Sequence, residues 1–236
     1  MAIEQEEGWA LTLVIACSGK DYVVLGADSR VTYRDAAGNS IGMNIMDKLI
    51  PVSKHVAILL SGEAGSADRI IERFKLKLPK TLDGGTKVAE EFERFCQREA
   101  RKAVGVPMHP NYFPEFSFIV AGLDKKGNEF AIPRFYTLDS LTGYRLGLSR
   151  LFEIQGKPLI ARYLFCKQFE RDMVVDKLCR LVAQSLYDTT KIDGEVGGDI
   201  KMARIEQDGY HPIPDKDIET FIEPWGLGRL REIMKQ

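Results

Sequence analysis

Hydrophobic residues fall along the chain in short β-branched runs at first, then at helical spacing, then in runs again. Residues 11–17 (LTLVIAC) and 22–28 (YVVLGAD) flank the turn-like stretch Ser18, Gly19, Lys20 and Asp21, the sequence form of a β-hairpin. Apolar density then falls from Asp28 to Asp47, with a turn cluster at Asp35 to Gly38, before KLIPV and HVAILLSG read as two more strands around Ser53 and Lys54. Four such strands predict an antiparallel sheet. The period then changes. Ala64, Ile70, Ile71, Phe74 and Leu78 predict an amphipathic helix ending near Pro79, because proline removes a backbone donor and clashes with the preceding turn. Thr86 is placed to cap a second helix, whose apolar face is Val88, Phe92, Phe95 and Cys96, up to about Val104.

The segment GVPMHPNYFPEF, with three prolines, reads as a loop, and FSFIVAGLD and EFAIPRFYT as strands that begin a second sheet around Lys125, Lys126 and Gly127. Tyr144 to Ile154 continues that sheet less clearly. Pro158 to Tyr187 carries two helical patterns, and DIKMARIEQDGYHPI closes as a hairpin around Asp208 and Gly209. Helices come in pairs and not between successive strands, which disfavours a doubly wound parallel sheet. The expected fold is α+β, a four-layer αββα sandwich of two antiparallel sheets flanked by helix pairs.

Composition narrows the function classes. The 236 residues are 44% hydrophobic, with 33 basic against 34 acidic side chains, which excludes disorder and leaves no basic surplus for non-specific nucleic-acid binding. No apolar run approaches the roughly 20 residues of a membrane-spanning helix, and the first ten residues carry three glutamates where a signal peptide needs positive charge, so the chain reads as cytoplasmic with no membrane partner. Cys17, Cys96, Cys166 and Cys179 lie far apart without a C-x-x-C, as expected of reduced thiols.

Several chemistries find no support. The glycines of Gly19-Lys20-Asp21 and Gly156-Lys157-Pro158 lack a phosphate-loop pattern, and Gly194, Gly197 and Gly198 sit between a helix and a strand, the reverse of the dinucleotide-binding order, and read as a tight turn. His55, His109 and His211 are widely separated, with no H-E-x-x-H, so no metal or organic cofactor is implied. One constellation stands apart: Thr12 heads the first strand, Asp28 and Arg30 end the second, Lys48 opens the third, and a small-residue run from Ser61 to Ser66 follows the fourth. In a hairpin the start of one strand and the end of the next share an edge, so Thr12 and Asp28 can be neighbours. A hydroxyl needs a base and a positive group beside it to act as a nucleophile. A lysine held by an aspartate, with the threonine's own freed α-amine as base, meets that need. Salt bridges and turn glycines at strand ends are also common in folds without activity, and the pattern alone leaves both readings open.

At these residues the sequence resembles a known family. TLVIACSGKDYVVLGADSR, MDKLIPVSKHVAILLSGEAGSADRIIERF, FIVAGLDKKGNEF and DGEVGGDIKMARI are similar to the landmark segments of 20S proteasome subunits, in the N-terminal-nucleophile hydrolase superfamily. The resemblance implies a leader or propeptide over residues 1–11, the proteasome-like domain over 12–215 and a C-terminal tail over 216–236. It implies Thr12 as the catalytic threonine exposed by processing, Asp28 and Lys48 beside it, Asp193 supporting the terminal amine, and the backbone N–H of Gly62 at the oxyanion. Main chains of Thr32, Gly62 and Ala64 would bind a peptide or unfolded protein as an added strand. Leu60 and Met46 match positions lining the primary side-chain pocket, or are core residues. A threonine-type peptidase follows, working as a homo-oligomer, in a ring in the family manner, with an unfoldase as a partner class. The alternatives are an inactive assembly subunit and a peptide ligase, since the opening TLVIA also resembles archaeal connectases. Gln155 and Val196 depart from the pattern, standing where active β-type subunits usually have serines. Ala10-Leu11 stands where a glycine usually precedes the threonine, and an insertion lengthens the chain around Gly38 to Met43.

Overall fold

The two β-branched runs at the start form Leu13–Ser18 (β1) and Val23–Asp28 (β2), antiparallel, with Val14 opposite Ala27. Every residue of both strands is buried, which is why they read as continuous apolar runs and not as alternating ones: both faces of the sheet are covered. The structure is a computed structural model that describes residues 12–34, 40–44, 46–62, 64–103 and 116–222. The leader, the turn cluster at Asp35 to Gly38, nearly all of the proline-rich loop and the last fourteen residues lie outside the described residues.

Where apolar density falls, the chain still forms a two-stranded ribbon, Arg30–Arg34 (β3) against Ser40–Asn44 (β4). It then continues through Leu49–Ser53 (β5), Val56–Gly62 (β6), Ala64–Lys77 (α1) and Gly85–Ala103 (α2). The carboxylate that meets the start of α2 comes from Asp124, which accepts from the Thr86 N–H at 2.9 Å and from the Thr86 hydroxyl. Thr86 is thus held by a cap and does not supply one. Phe116–Lys126 (β7) and Glu129–Asp139 (β8) form the long central hairpin of the second sheet, which Gly147–Ser149 (β9) completes. Phe152–Gly156 (β10) leads into Leu159–Gln168 (α3) and Val175–Ile192 (α4). Ile200–Glu206 (β11), Gly209–Ile213 (β12) and the short helix Asp215–Phe221 (α5) follow.

The strands divide into two five-stranded antiparallel sheets, β10-β1-β2-β11-β12 and β5-β6-β7-β8-β9. The first two hairpins therefore do not share a sheet as their sequence order suggests, and the segment from Tyr144 to Ile154 is split, β9 ending one sheet and β10 edging the other. Long-range pairing decides this: β1 takes β10 on its free edge, and β2 takes β11, with Ile200 opposite Asp28. Three apolar layers hold the sheets and helices together. Leu13, Ile15, Val24 and Met202 pack under Phe165, Leu178, Val182 and Leu186 of α3 and α4, with Ile218 of α5 in the same core. Ile58, Leu60, Phe118 and Val120 pack under Phe74 of α1 and Phe92 and Phe95 of α2. Between the sheets lie Val14, Leu25, Leu59, Ile119 and Ala203. The expected αββα sandwich is the observed fold. Among the described residues no helix is long and apolar enough to cross a membrane.

Candidate active site

Thr12 directly precedes β1 and is 2% exposed. Its carbonyl accepts the Lys157 N–H at 2.8 Å, just past the end of β10. Gly156 makes this approach possible: its φ is +91° and a Cβ there would lie 1.9 Å from the Thr12 carbonyl oxygen. The hairpin register then delivers Asp28, the last residue of β2, to the same edge.

Asp28, 1% exposed, is surrounded by donors. Its Oδ1 accepts from the Thr12 hydroxyl at 2.6 Å, the Leu13 N–H at 2.9 Å and Lys48 Nζ at 2.8 Å, and its Oδ2 accepts from the Gly197 N–H at 3.1 Å. Lys48 stands just before β5, its carbonyl accepting the Leu60 N–H at 3.0 Å. Its ammonium also donates to Thr12 Oγ and to the Arg30 carbonyl. The Thr12 hydroxyl thus donates to a carboxylate while its oxygen faces an ammonium. Burial lowers the Lys48 pKa; attraction to Asp28 and the hydrogen bond with it oppose that, and the charge of Arg30 adds to the lowering. A cation and an anion so far from water are stable only with their remaining valences satisfied, as they are here.

Sequence reasoning brings together Thr12, Asp28 and Lys48 and misses Gly197. The glycine run that reads as a tight turn does turn, with Gly198 at φ +77°, but the Gly197 peptide is also part of the site: besides its N–H on Asp28, its carbonyl accepts the Ser29 and Arg30 N–H groups at 3.2 and 2.9 Å. Asp193 follows α4 and opens that loop, its carboxylate accepting the Glu195 N–H at 3.0 Å. Its described hydrogen bonds go to the helix end and the turn that leads to Gly197.

The other expected positions are spread around this centre. Gly62 ends β6 at φ +98°, Ala64 opens α1, and Thr32 lies in β3 opposite Gly42. The Met46 N–H donates to the Ser29 carbonyl at 3.3 Å, and its side chain packs partly buried on the core under α1 and α2. Leu60 is 1% exposed inside that same core. Of the two pocket candidates, only Met46 keeps surface to offer. Among the described residues, one group has donors close enough for a metal, Glu206, Asp208 and His211. It sits at the β11–β12 turn, the far end of β11 from the Ile200–Asp28 pair.

A buried threonine, aspartate and lysine gather at the head of the first strand of an αββα sandwich, and likeness to known proteins gives the class, a proteasome-like β subunit of the N-terminal-nucleophile hydrolase superfamily. The family model described as proteasome subunit matches residues 12–205, and the chain belongs to that family. It is similar to the proteasome subunit beta of Methanohalophilus mahii, at 23% identity over 90% of this chain and 93% of the relative. It is also similar to the proteasome subunit beta of Streptomyces griseus, at 27% identity over 92% and 75%, and to the proteasome subunit beta type-1 of Saccharomyces cerevisiae, at 28% identity over 86% of each.

Proposed function

We propose that the protein is a threonine-type peptidase whose nucleophile is Thr12 once removal of the residues before it frees its α-amine. The observation that carries this reading is the Thr12 hydroxyl held between the Asp28 carboxylate and the Lys48 ammonium. In the mechanism, Thr12 Oγ attacks a peptide carbonyl while its proton passes to the α-amine. The Lys48 ammonium lowers the cost of the forming alkoxide, and the Gly62 N–H stabilises the oxyanion. Collapse of the tetrahedral intermediate breaks the C–N bond, the leaving amine takes the proton, and an ester remains on Thr12. Water then hydrolyses the ester; an incoming peptide amine in its place would make the same chemistry a ligation.

The substrate is an extended peptide or unfolded chain, hydrogen-bonded along the backbones of Thr32, Gly62 and Ala64, with Met46 facing its side chain. Asp193 shapes the loop that carries Gly197 to Asp28. The relatives are named as proteasome subunits, and self-association into a ring in the cytoplasm, fed by an unfoldase, is the matching assembly. A second reading, an inactive assembly subunit, is favoured by Gln155 and Val196, which stand where the family pattern has hydroxyls. Turnover of short peptide amides by the wild type and Thr12→Ala, each sized in solution, decides between them. The peptidase reading expects activity lost in Thr12→Ala at unchanged assembly size; equal rates, or none in either protein, contradict it.

A further inference from the structure

The apolar layer between the sheets ends, on the side of Thr12, in a polar cluster. Strand alternation turns Ser61 of β6, Ser117 of β7 and Gln155 of β10 into this layer, since their neighbours Leu60, Phe118 and Ile154 belong to the two helix-facing cores. Ser61 and Ser117 are direct cross-strand partners, with hydroxyls 2.8 Å apart. The Ser117 hydroxyl donates to Gln155 Oε1 at 3.0 Å, and Ser61 Oγ lies 3.4 Å from the same oxygen. One amide oxygen of the first sheet therefore gathers two hydroxyls of the second.

Both ends of this bridge adjoin the site. Gln155 precedes Gly156, where a Cβ would strike the Thr12 carbonyl, and Ser61 precedes Gly62. We propose that Gln155 is a positioning residue that, through Ser117 and Ser61, holds the Ser61–Gly62 peptide in register with Thr12; this rests on the peptidase reading, in which that peptide supplies the oxyanion donor. The physical need is specific. The direction of the Gly62 N–H follows the torsions on either side of the Ser61–Gly62 peptide, and Gly62, at φ +98° and without a Cβ, leaves other orientations open to the backbone. Pinning the Ser61 side chain removes that freedom, and it pins it to the strand that abuts the nucleophile. Donors aimed at developing charge act only when held in place beforehand, and displacements of about 1 Å cost on the order of a hundredfold in rate. The described hydrogen bonds of the Gln155 side chain all lie in this bridge. Its oxygen is taken up by the serines, so the position that the family pattern gives to an amine-holding hydroxyl serves the oxyanion side of the site here.

The test is the steady-state kinetics of a short peptide amide in the full-length protein as it matures. Gln155→Met keeps the side-chain length and removes the acceptor, and kcat is expected to fall about tenfold with KM within about twofold, because the donor strengthens only in the transition state. Gln155→Glu keeps an acceptor oxygen and is expected to restore most of kcat. Ser117→Ala removes the bridging hydroxyl with little change in volume, is expected to lower kcat likewise, and decides the question if Gln155→Met does not fold. The double variant is expected to lose no more than Gln155→Met alone, as members of one network do. Wild-type kcat in Gln155→Met and Ser117→Ala, a loss carried by KM alone, or a Gln155→Glu as slow as Gln155→Met overturns the inference while an active wild type leaves the peptidase reading standing. An inactive wild type overturns both.

Discussion

Asp28 and Gly197 are joined by a 3.1 Å hydrogen bond from the glycine N–H to carboxylate Oδ2, which ties the end of β2 to the loop after α4. With Oδ1 taken by Thr12, Leu13 and Lys48, this bond completes a carboxylate on which three separate chain segments converge. Replacing Asp28 by Ala leaves the Lys48 ammonium, 2% exposed, buried without its counter-ion and two N–H groups without their acceptor. A loss of about 3–5 kcal/mol in unfolding free energy is expected, read from denaturant titration. A change below about 1 kcal/mol would show that the pair is not buried as described.

Gly156 carries no chemistry, yet the site depends on it. Its φ of +91° and the 1.9 Å approach of a would-be Cβ to the Thr12 carbonyl leave no room for a side chain. Gly156→Ala is expected to destabilise the protein by about 2 kcal/mol or more and to lower turnover as β10 moves away from Thr12. The unfolding midpoint and the rate are measured on the same sample; unchanged values in both would refute the contact.

Lys48 gives a pH signature. Burial lowers its pKa against the opposing pull of Asp28, so the folded protein releases this proton at lower pH than the unfolded chain. Between the folded value and the ordinary lysine value of 10.5 the unfolded chain binds more protons, so the stability contribution of this group rises with pH across that window. Activity that requires the ammonium falls over the same window. The kcat/KM profile is therefore expected to decline on the alkaline side before pH 10.5, and Lys48→Met to lose about a hundredfold or more along with that limb. An identical profile in Lys48→Met would make the lysine structural only.

Asp83 is expected to govern acid stability far from the chemistry. Burial raises its pKa, but hydrogen bonds from the His55 ring, the Ser53 hydroxyl and the His55 and Gly84 N–H groups outweigh it and hold the carboxyl below the ordinary 3.8. A group depressed in this way stabilises the fold above its unfolded value and loses that contribution as pH falls through the folded value. Asp83→Asn is expected to flatten the decline of the melting temperature below pH 3.8. A wild-type acid limb in the variant would assign the decline to other carboxylates.

The core of the site is legible in the sequence because it follows from local pairing. A hairpin of near-equal strands brings Thr12 and Asp28 to one edge, and Lys48 opens the next strand pair. Gly197 is not legible, because its place depends on β11 pairing with β2 across most of the chain, and a glycine run looks the same in any turn. The division into two sheets is hidden for the same reason. Nothing in the KLIPV and HVAILLSG runs says that their hairpin joins residues 116–126, through HVAILLSG, and not the first hairpin. The β3–β4 ribbon escapes because a ribbon outside both large sheets needs few apolar residues. Gln155 reads as a departure from a pattern, and only the strand register shows what its oxygen meets.

The most direct test of Thr12 as the nucleophile is intact-mass measurement of the protein acid-quenched during turnover of a short peptide ester. The expected species is a chain beginning at Thr12, together with the same chain heavier by the peptide acyl group, the added mass mapping to Thr12 and missing in Thr12→Ala. Turnover by a chain that retains residues 1–11, or an acyl group mapped to any other residue, would contradict the account.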